Sequence, residues 1–201
     1  LALIQETFAA DFIRRALVAG ILAGALCGYL GVYVVLKRIV FVGVALAEMS
    51  SAGVALAFWA ATVFGFPMEE HSPLTMTGAL VLMLVGVLLF SLRWTKTVPR
   101  ESMIGVGYAV AAAAGLLLIS HSAKGEAHVL QLLFGNILYV SSREIWEFAA
   151  AAALVALIHA LFAKEFLFVS FDPETANALG YRARFWEMLF YLTLGLTIAF
   201  A

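Results

Sequence analysis

Apolar residues in this chain run on without a break for far longer than the amphipathic helices of water-soluble domains allow. Six such runs follow one another, at 16–36, 40–66, 74–92, 102–120, 145–163 and 185–201. Crossing a bilayer takes about 20 mostly apolar residues in helical form, so the pattern predicts six transmembrane helices. The first, third and fourth runs carry no charge. The second carries only Glu48, the fifth Glu147 with His159, and the sixth Glu187. Before the first run, Leu1, Ile4, Phe8 and Phe12 recur at helical spacing among Glu6, Asp11, Arg14 and Arg15. That stretch is too polar for a signal peptide, and residues 1–15 read either as a short interfacial helix or as an extension of the first crossing. The sixth run stops after 17 residues with no flanking charge or cap, and the chain does not open on Met. The expectation is a single transmembrane domain over 1–201, truncated at its C-terminus, with further helices to follow.

Composition narrows the class. Apolar side chains make up 64% of the 201 residues and charged ones 12%, with a mean hydropathy of +1.02, against about 45–50% and about 25% in soluble domains. Lipid is therefore the solvent. A net charge of −1 offers no basic surplus for nucleic acid. Cys27 is the single cysteine, which excludes an intrachain disulfide framework and a cysteine-based zinc cluster. With the N-terminus outside, eight Lys and Arg (positions 37, 38, 93, 96, 100, 164, 182 and 184) lie within and four lie without, and the cytoplasmic side carries the excess. Residues 128–140, with Gln131, Gly135 and Asn136, are too short and polar to cross and read as a re-entrant or interfacial element at the outer side.

Small residues are expected to set helix packing, because lipid removes the hydrophobic drive between spans. Gly20, Gly24 and Gly28 form a stripe on the first helix, and 109–115 and 149–153 offer similar surfaces. An acidic residue inside a span costs about 2.5–3.5 kcal/mol on insertion scales and usually faces a bundle interior or a watery cavity. Glu48 is that residue, and it lies beside Ser50 and Ser51. It reads as a ligand or gate for a cationic substrate, or as a hydrogen-bonded carboxyl that fastens two helices. His71, His121 and His128 fall in outer loops near Glu69, Glu70 and Glu126. Imidazole and carboxylate are ordinary divalent-metal ligands, so a transient entry site competes there with plain solvation. His159 reads as a packed histidine.

The densest local signal lies between the fifth and sixth spans. Asp172 can cap free N–H groups, Pro173 suits the first helical position, Glu174 complements the dipole and Gly180 supplies a left-handed stop. A helix over 173–179 follows. So short a helix is marginal alone, so it is either braced by a docking partner or a capped connector. The chain has no G-x-x-x-x-G-K-[ST] phosphate cradle and no Rossmann glycine pattern; it binds no cofactor by sequence, and any ATP belongs to a partner.

Several segments, in order, resemble the permease subunits of ABC importers for zinc, manganese or iron. They are Phe12-Ile13-Arg14-Arg15-Ala16-Leu17, Gly31-Val32-Tyr33-Val34-Val35-Leu36-Lys37-Arg38, Gly53-Val54-Ala55-Leu56-Ala57, Leu133-Phe134-Gly135-Asn136-Ile137-Leu138 and the hairpin from Phe171 to Tyr181. The resemblance implies an all-α bundle of about eight spans in the bacterial inner membrane. It implies pairing with a second permease copy, driving by a cytoplasmic ABC ATPase, and loading by an extracytoplasmic metal-binding protein. It also implies that 171–181 is the coupling region, with Phe171, Asp172, Pro173, Glu174, Ala176, Asn177, Ala178, Leu179 and Gly180 meeting the ATPase. Many members carry an Asp and a His four residues apart in helix two, and the matching positions here are Val44 and Glu48. Glu48, with Ser50 and Ser51, is then the expected path, and Glu48, His121 and His128 the candidate metal ligands. Zinc is the first expected cargo, manganese or iron next. A chelated or organic substrate, of siderophore or cobalamin type, is the alternative within the same architecture. An intramembrane hydrolase built on Ser50 or Ser51 with His159 is a remote one, since neither serine lies in a G-x-S-x-G elbow.

Overall fold

The computed structural model describes residues 11–65, 73–91, 98–122 and 141–200. Among these, eight helices follow in chain order and no strand occurs: α1 (Asp11–Leu36), α2 (Val42–Phe64), α3 (Pro73–Ser91), α4 (Arg100–Ser120), α5 (Ser142–Leu161), α6 (Ala163–Phe171), α7 (Pro173–Ala178) and α8 (Ala183–Phe200). Six of them, α1 to α5 and α8, are long and apolar enough to cross a membrane. The six expected spans are present, with ends displaced by a few residues. Asp11 to Arg15 form the first turns of α1, so for this described part of 1–15 extension, not a separate interfacial helix, is the arrangement; residues 1–10 lie outside the described residues. So do His71, His128 and the 128–140 element. One helix, α6, was not among the expected elements: the fifth apolar run breaks at Phe162 and a further helix continues to Phe171.

Helix ends follow local chemistry. α5 opens on a capping box: the Glu144 N–H donates to the Ser141 hydroxyl (3.2 Å), and the Ser141 N–H donates to the Glu144 carboxylate (2.7 Å). α1 closes with Arg38 in the left-handed region (φ 55°), while Ile39 N–H donates to Val34 O (3.1 Å) and Arg38 N–H to Val35 O (3.0 Å). This is a Schellman stop; burial of Ile39 fastens it and lets a non-glycine residue hold a positive φ.

Two packed groups make the bundle. α2 lies between α3 and α4. At its crossing with α3, a Cβ on Gly53 would stand 2.3 Å from Gly78 O, and at its contact with α4 Gly115 faces Ala52. α1, α5, α6 and α8 enclose the other core, around Leu30, Tyr33, Val155, Phe166 and Phe190. α8 joins the groups by packing on α3, where Gly195 meets Met83, and on α2, where Ile198 approaches Gly43. The close approaches therefore fall at Gly53, Gly78, Gly107 and Gly195, whereas Gly20, Gly24 and Gly28 have open space at the Cβ position. Within this chain the stripe on α1 packs against no described residue.

Candidate functional site

Glu48 is the seventh residue of α2 and is half-buried. At about 100° per residue, Val44, Glu48 and Ser51 share a face and Ser50 points to another. Beside that face, Ala45, Met49 and Ala52 are buried against the neighbouring helices. Val44 is exposed, so the face carrying Glu48 looks along the edge of the α2–α3–α4 group, not into its core. Glu48 makes no hydrogen bond or ion pair with a described residue. A carboxylate fastening two helices would have such a partner, so among the described residues the fastening alternative has no support.

The candidate ligands do not come together. α2 and α4 run side by side with Met49 level with Ala111, and His121 lies ten residues above Ala111. At 1.5 Å per residue the offset between Glu48 and His121 is roughly 15 Å. His121 ends α4, exposed, with its Nδ1 2.9 Å from Leu117 O and 3.2 Å from the Ser120 hydroxyl. His128 lies outside the described residues. Among those described, no three His, Cys, Asp or Glu side chains group as a metal site.

His159 is fully buried, stacked on Phe166 (4.2 Å between centroids) and edge-on to Tyr33. Its Nε2 meets the Thr193 hydroxyl at 3.0 Å. Thr193 gives its own proton to Phe190 O (2.9 Å), so it accepts from His159, whose Nε2 carries the hydrogen. The imidazole is thus a packing element between α5 and α8. It serves neither serine of α2, and the hydrolase alternative is set aside on this geometry.

The hairpin folds as its punctuation requires. The Thr175 N–H and hydroxyl donate to the two Asp172 carboxylate oxygens (3.0 and 2.5 Å), which holds that carboxyl below its ordinary range. Pro173 opens α7. Gly180 (φ 88°) closes it, with Tyr181 N–H donating to Ala176 O (2.9 Å). Ala176 is a correction: it is fully buried against Val169 and Ala183 and cannot meet a partner. A six-residue helix must turn one small side chain inward to be held at all. Glu174, Asn177, Ala178, Leu179 and, just before the helix, Phe171 are exposed. Asn177 has a second task, since its Oδ1 accepts the Ala183 N–H that begins α8 (3.2 Å).

One contact had no signal in the sequence. Arg100 at the start of α4 donates to Glu187 of α8 (2.8 Å), and Lys37 lies 5.4 Å from the Phe190 ring centroid on the same helix. Burial, only partly offset by Glu187, draws the Lys37 amine down to about 8. The contacts gather Lys37, Arg100, Glu187 and the α7 hairpin at one end of the bundle, the end that the positive-charge count assigns to the cytoplasm.

Residues 9–201 match the ABC 3 transport family. The chain belongs to that family. Its members are transport proteins, and the six apolar helices, each long enough to cross a membrane, fit this chain to a bilayer as a multi-pass protein. It is 28% identical over 186 residues to the manganese import system permease protein ScaB of Streptococcus gordonii (92% of this chain, 63% of the relative). It is 31% identical over 197 residues to the chelated iron transport system membrane protein YfeD of Yersinia pestis (98% and 63%). The chain thus spans a little under two thirds of each of these relatives. Among solved structures, PsaBC from Streptococcus pneumoniae in complex with Fab superposes with a TM-score of 0.77 at 25% identity, covering 100% of this chain and 69% of that one.

Proposed function

We propose that this chain is the permease subunit of an ATP-driven importer that moves a divalent transition metal ion inward by alternating access. The observation that carries the reading is α7. It is a capped rod held at the inner end by Ala176, with Phe171 and Leu179 exposed beside it. Large apolar side chains bare outside the lipid suit a protein contact, and in an ATP-driven importer the cytoplasmic ATPase is the partner for that face. Closure of the ATPase pair would push α7 and tilt the spans. A second permease copy would enclose the path, and an extracytoplasmic binding protein would deliver the ion.

In that path Glu48 and Ser51 offer oxygen donors. Oxygen ligands suit manganese, whereas the missing imidazole would have favoured zinc. The names of the relatives, manganese and chelated iron, point the same way. His121 stands at the outer end, where it can meet an ion on entry but cannot share it with Glu48. The test is uptake of manganese(II) by the full chain in liposomes with its ATPase and binding protein. Glu48→Ala should abolish uptake and leave ATPase association intact; uptake at the native rate would remove Glu48 from the path.

A second reading, import of a chelated metal or an organic substrate, is favoured by the Val44 and Glu48 positions, which lack the imidazole of the family pattern, and by the printed name of the Yersinia relative. Excess free manganese or zinc would compete with uptake in the first case and not in the second.

A further inference from the structure

Arg100, Glu187 and Lys37 form a charged cluster that the path does not use. A lysine or arginine that only obeyed the inside-positive bias would sit in water. Arg100 instead turns inward, and Glu187 is almost wholly buried beneath it. Burying a carboxylate is tolerable only while its partner stays in place. The contact is therefore made or broken rather than sliding.

Its surroundings give it a task. Glu187 lines a polar hollow of about 200 Å3, walled also by Pro173 and Asn177 of α7, Ala183 and Arg184 of α8, and Ser91 of α3. Asn177 is hydrogen-bonded to the first residue of α8 and Ala176 is packed on Ala183, so α7 cannot move without the first turn of α8, and Glu187 is one turn further on. Beyond Glu187 and Tyr191, which both face Arg100, α8 does not lie along α4 among the described residues; it packs on α3, α5 and α2 instead. α4 in turn holds α2 through Ala111 and Gly115 against Met49 and Ala52. The apolar contacts of α8 with α3 and with α2, such as Ile198 beside Gly43, can accommodate a shift by repacking, but the ion pair passes a displacement to α4 directly.

We infer that Arg100 and Glu187 are positioning residues that carry movement of α7 into α4, and through it to the Glu48 segment of α2. This rests on the reading of α7 as the ATPase dock. Glu187→Gln and Arg100→Met are to be compared with the native full chain and with the exchanged pair Arg100→Glu/Glu187→Arg, each in liposomes with the ATPase and binding protein. The readouts are ATPase co-purification, ATP hydrolysis and manganese(II) transported per ATP. The expected result for the single variants is normal co-purification and hydrolysis, with transport per ATP lowered on the order of tenfold, within the usual range of coupling between sites, and substantial recovery in the exchanged pair. Native transport per ATP in both single variants would overturn the inference. So would a loss of assembly that tracks the loss of transport, since the pair would then merely hold the fold. Failure of the native chain itself to bind the ATPase would instead strike at the docking of α7.

Discussion

The crossing of α2 and α3 offers the sharpest perturbation. A methyl group added at Gly53 would meet Gly78 O at 2.3 Å, Gly78 C at 2.8 Å and Ala79 Cα at 2.9 Å. All three are backbone atoms, so no side chain can swing aside. Carbon atoms rest at about 3.5–4.0 Å, and the two helices would have to part by roughly 1 Å. That would also loosen the neighbouring contacts of Gly86 with Leu46 and Met49 on the same crossing. Overpacking of a close-fitted core costs about 1–3 kcal/mol, and a clash between two backbones belongs at the upper end. For a domain of this size each kcal/mol moves the melting midpoint by roughly 2–4 °C. The assay is the melting midpoint of the full chain in detergent, for Gly53→Ala beside Gly24→Ala, whose Cβ enters open space. Gly53→Ala should melt several degrees lower and Gly24→Ala close to native. Equal midpoints would refute the claim that isolated glycines, rather than the stripe on α1, set the packing within this chain.

Leu179→Glu should abolish ATPase co-purification while leaving the melting midpoint unchanged, because the side chain is exposed. Ala176→Arg should lower the midpoint as well, since it forces a long charged chain between Val169 and Ala183; retention of both properties in either variant would count against this arrangement of the hairpin. The Asp172 cap should respond to acid. Its carboxyl is held below the ordinary range in the folded hairpin, so its contribution is complete above the unfolded value of about 3.9 and is lost as pH falls through the lower folded one. Proteolysis of the hairpin followed against pH should show protection falling across that window, and Asp172→Asn should flatten the dependence.

The legibility of the chain divides by range. The six spans were readable because 20 apolar residues in a row have few other uses, and α7 was readable because Asp172, Pro173 and Gly180 act on atoms within a few residues of themselves. α6 leaves a weaker trace: Phe166 and Val169 recur at helical spacing, but nine residues are too few to span and Lys164 and Glu165 interrupt the apolar run. Ala176 reads as a partner contact in sequence because spacing alone cannot say which face of a two-turn helix anchors it.

The sequence by itself determined the solvent, the number of apolar helices and the ends of the short capped helix α7, since each follows from transfer energy or from hydrogen bonds made locally. Tertiary structure alone decided that Gly53 meets Gly78, that Glu48 and His121 stand apart, and that Arg100 finds Glu187 across 87 positions of chain. Periodicity records which face of a helix a residue occupies. What lies opposite that face is fixed only when the helices pack, because packing depends on every neighbour at once.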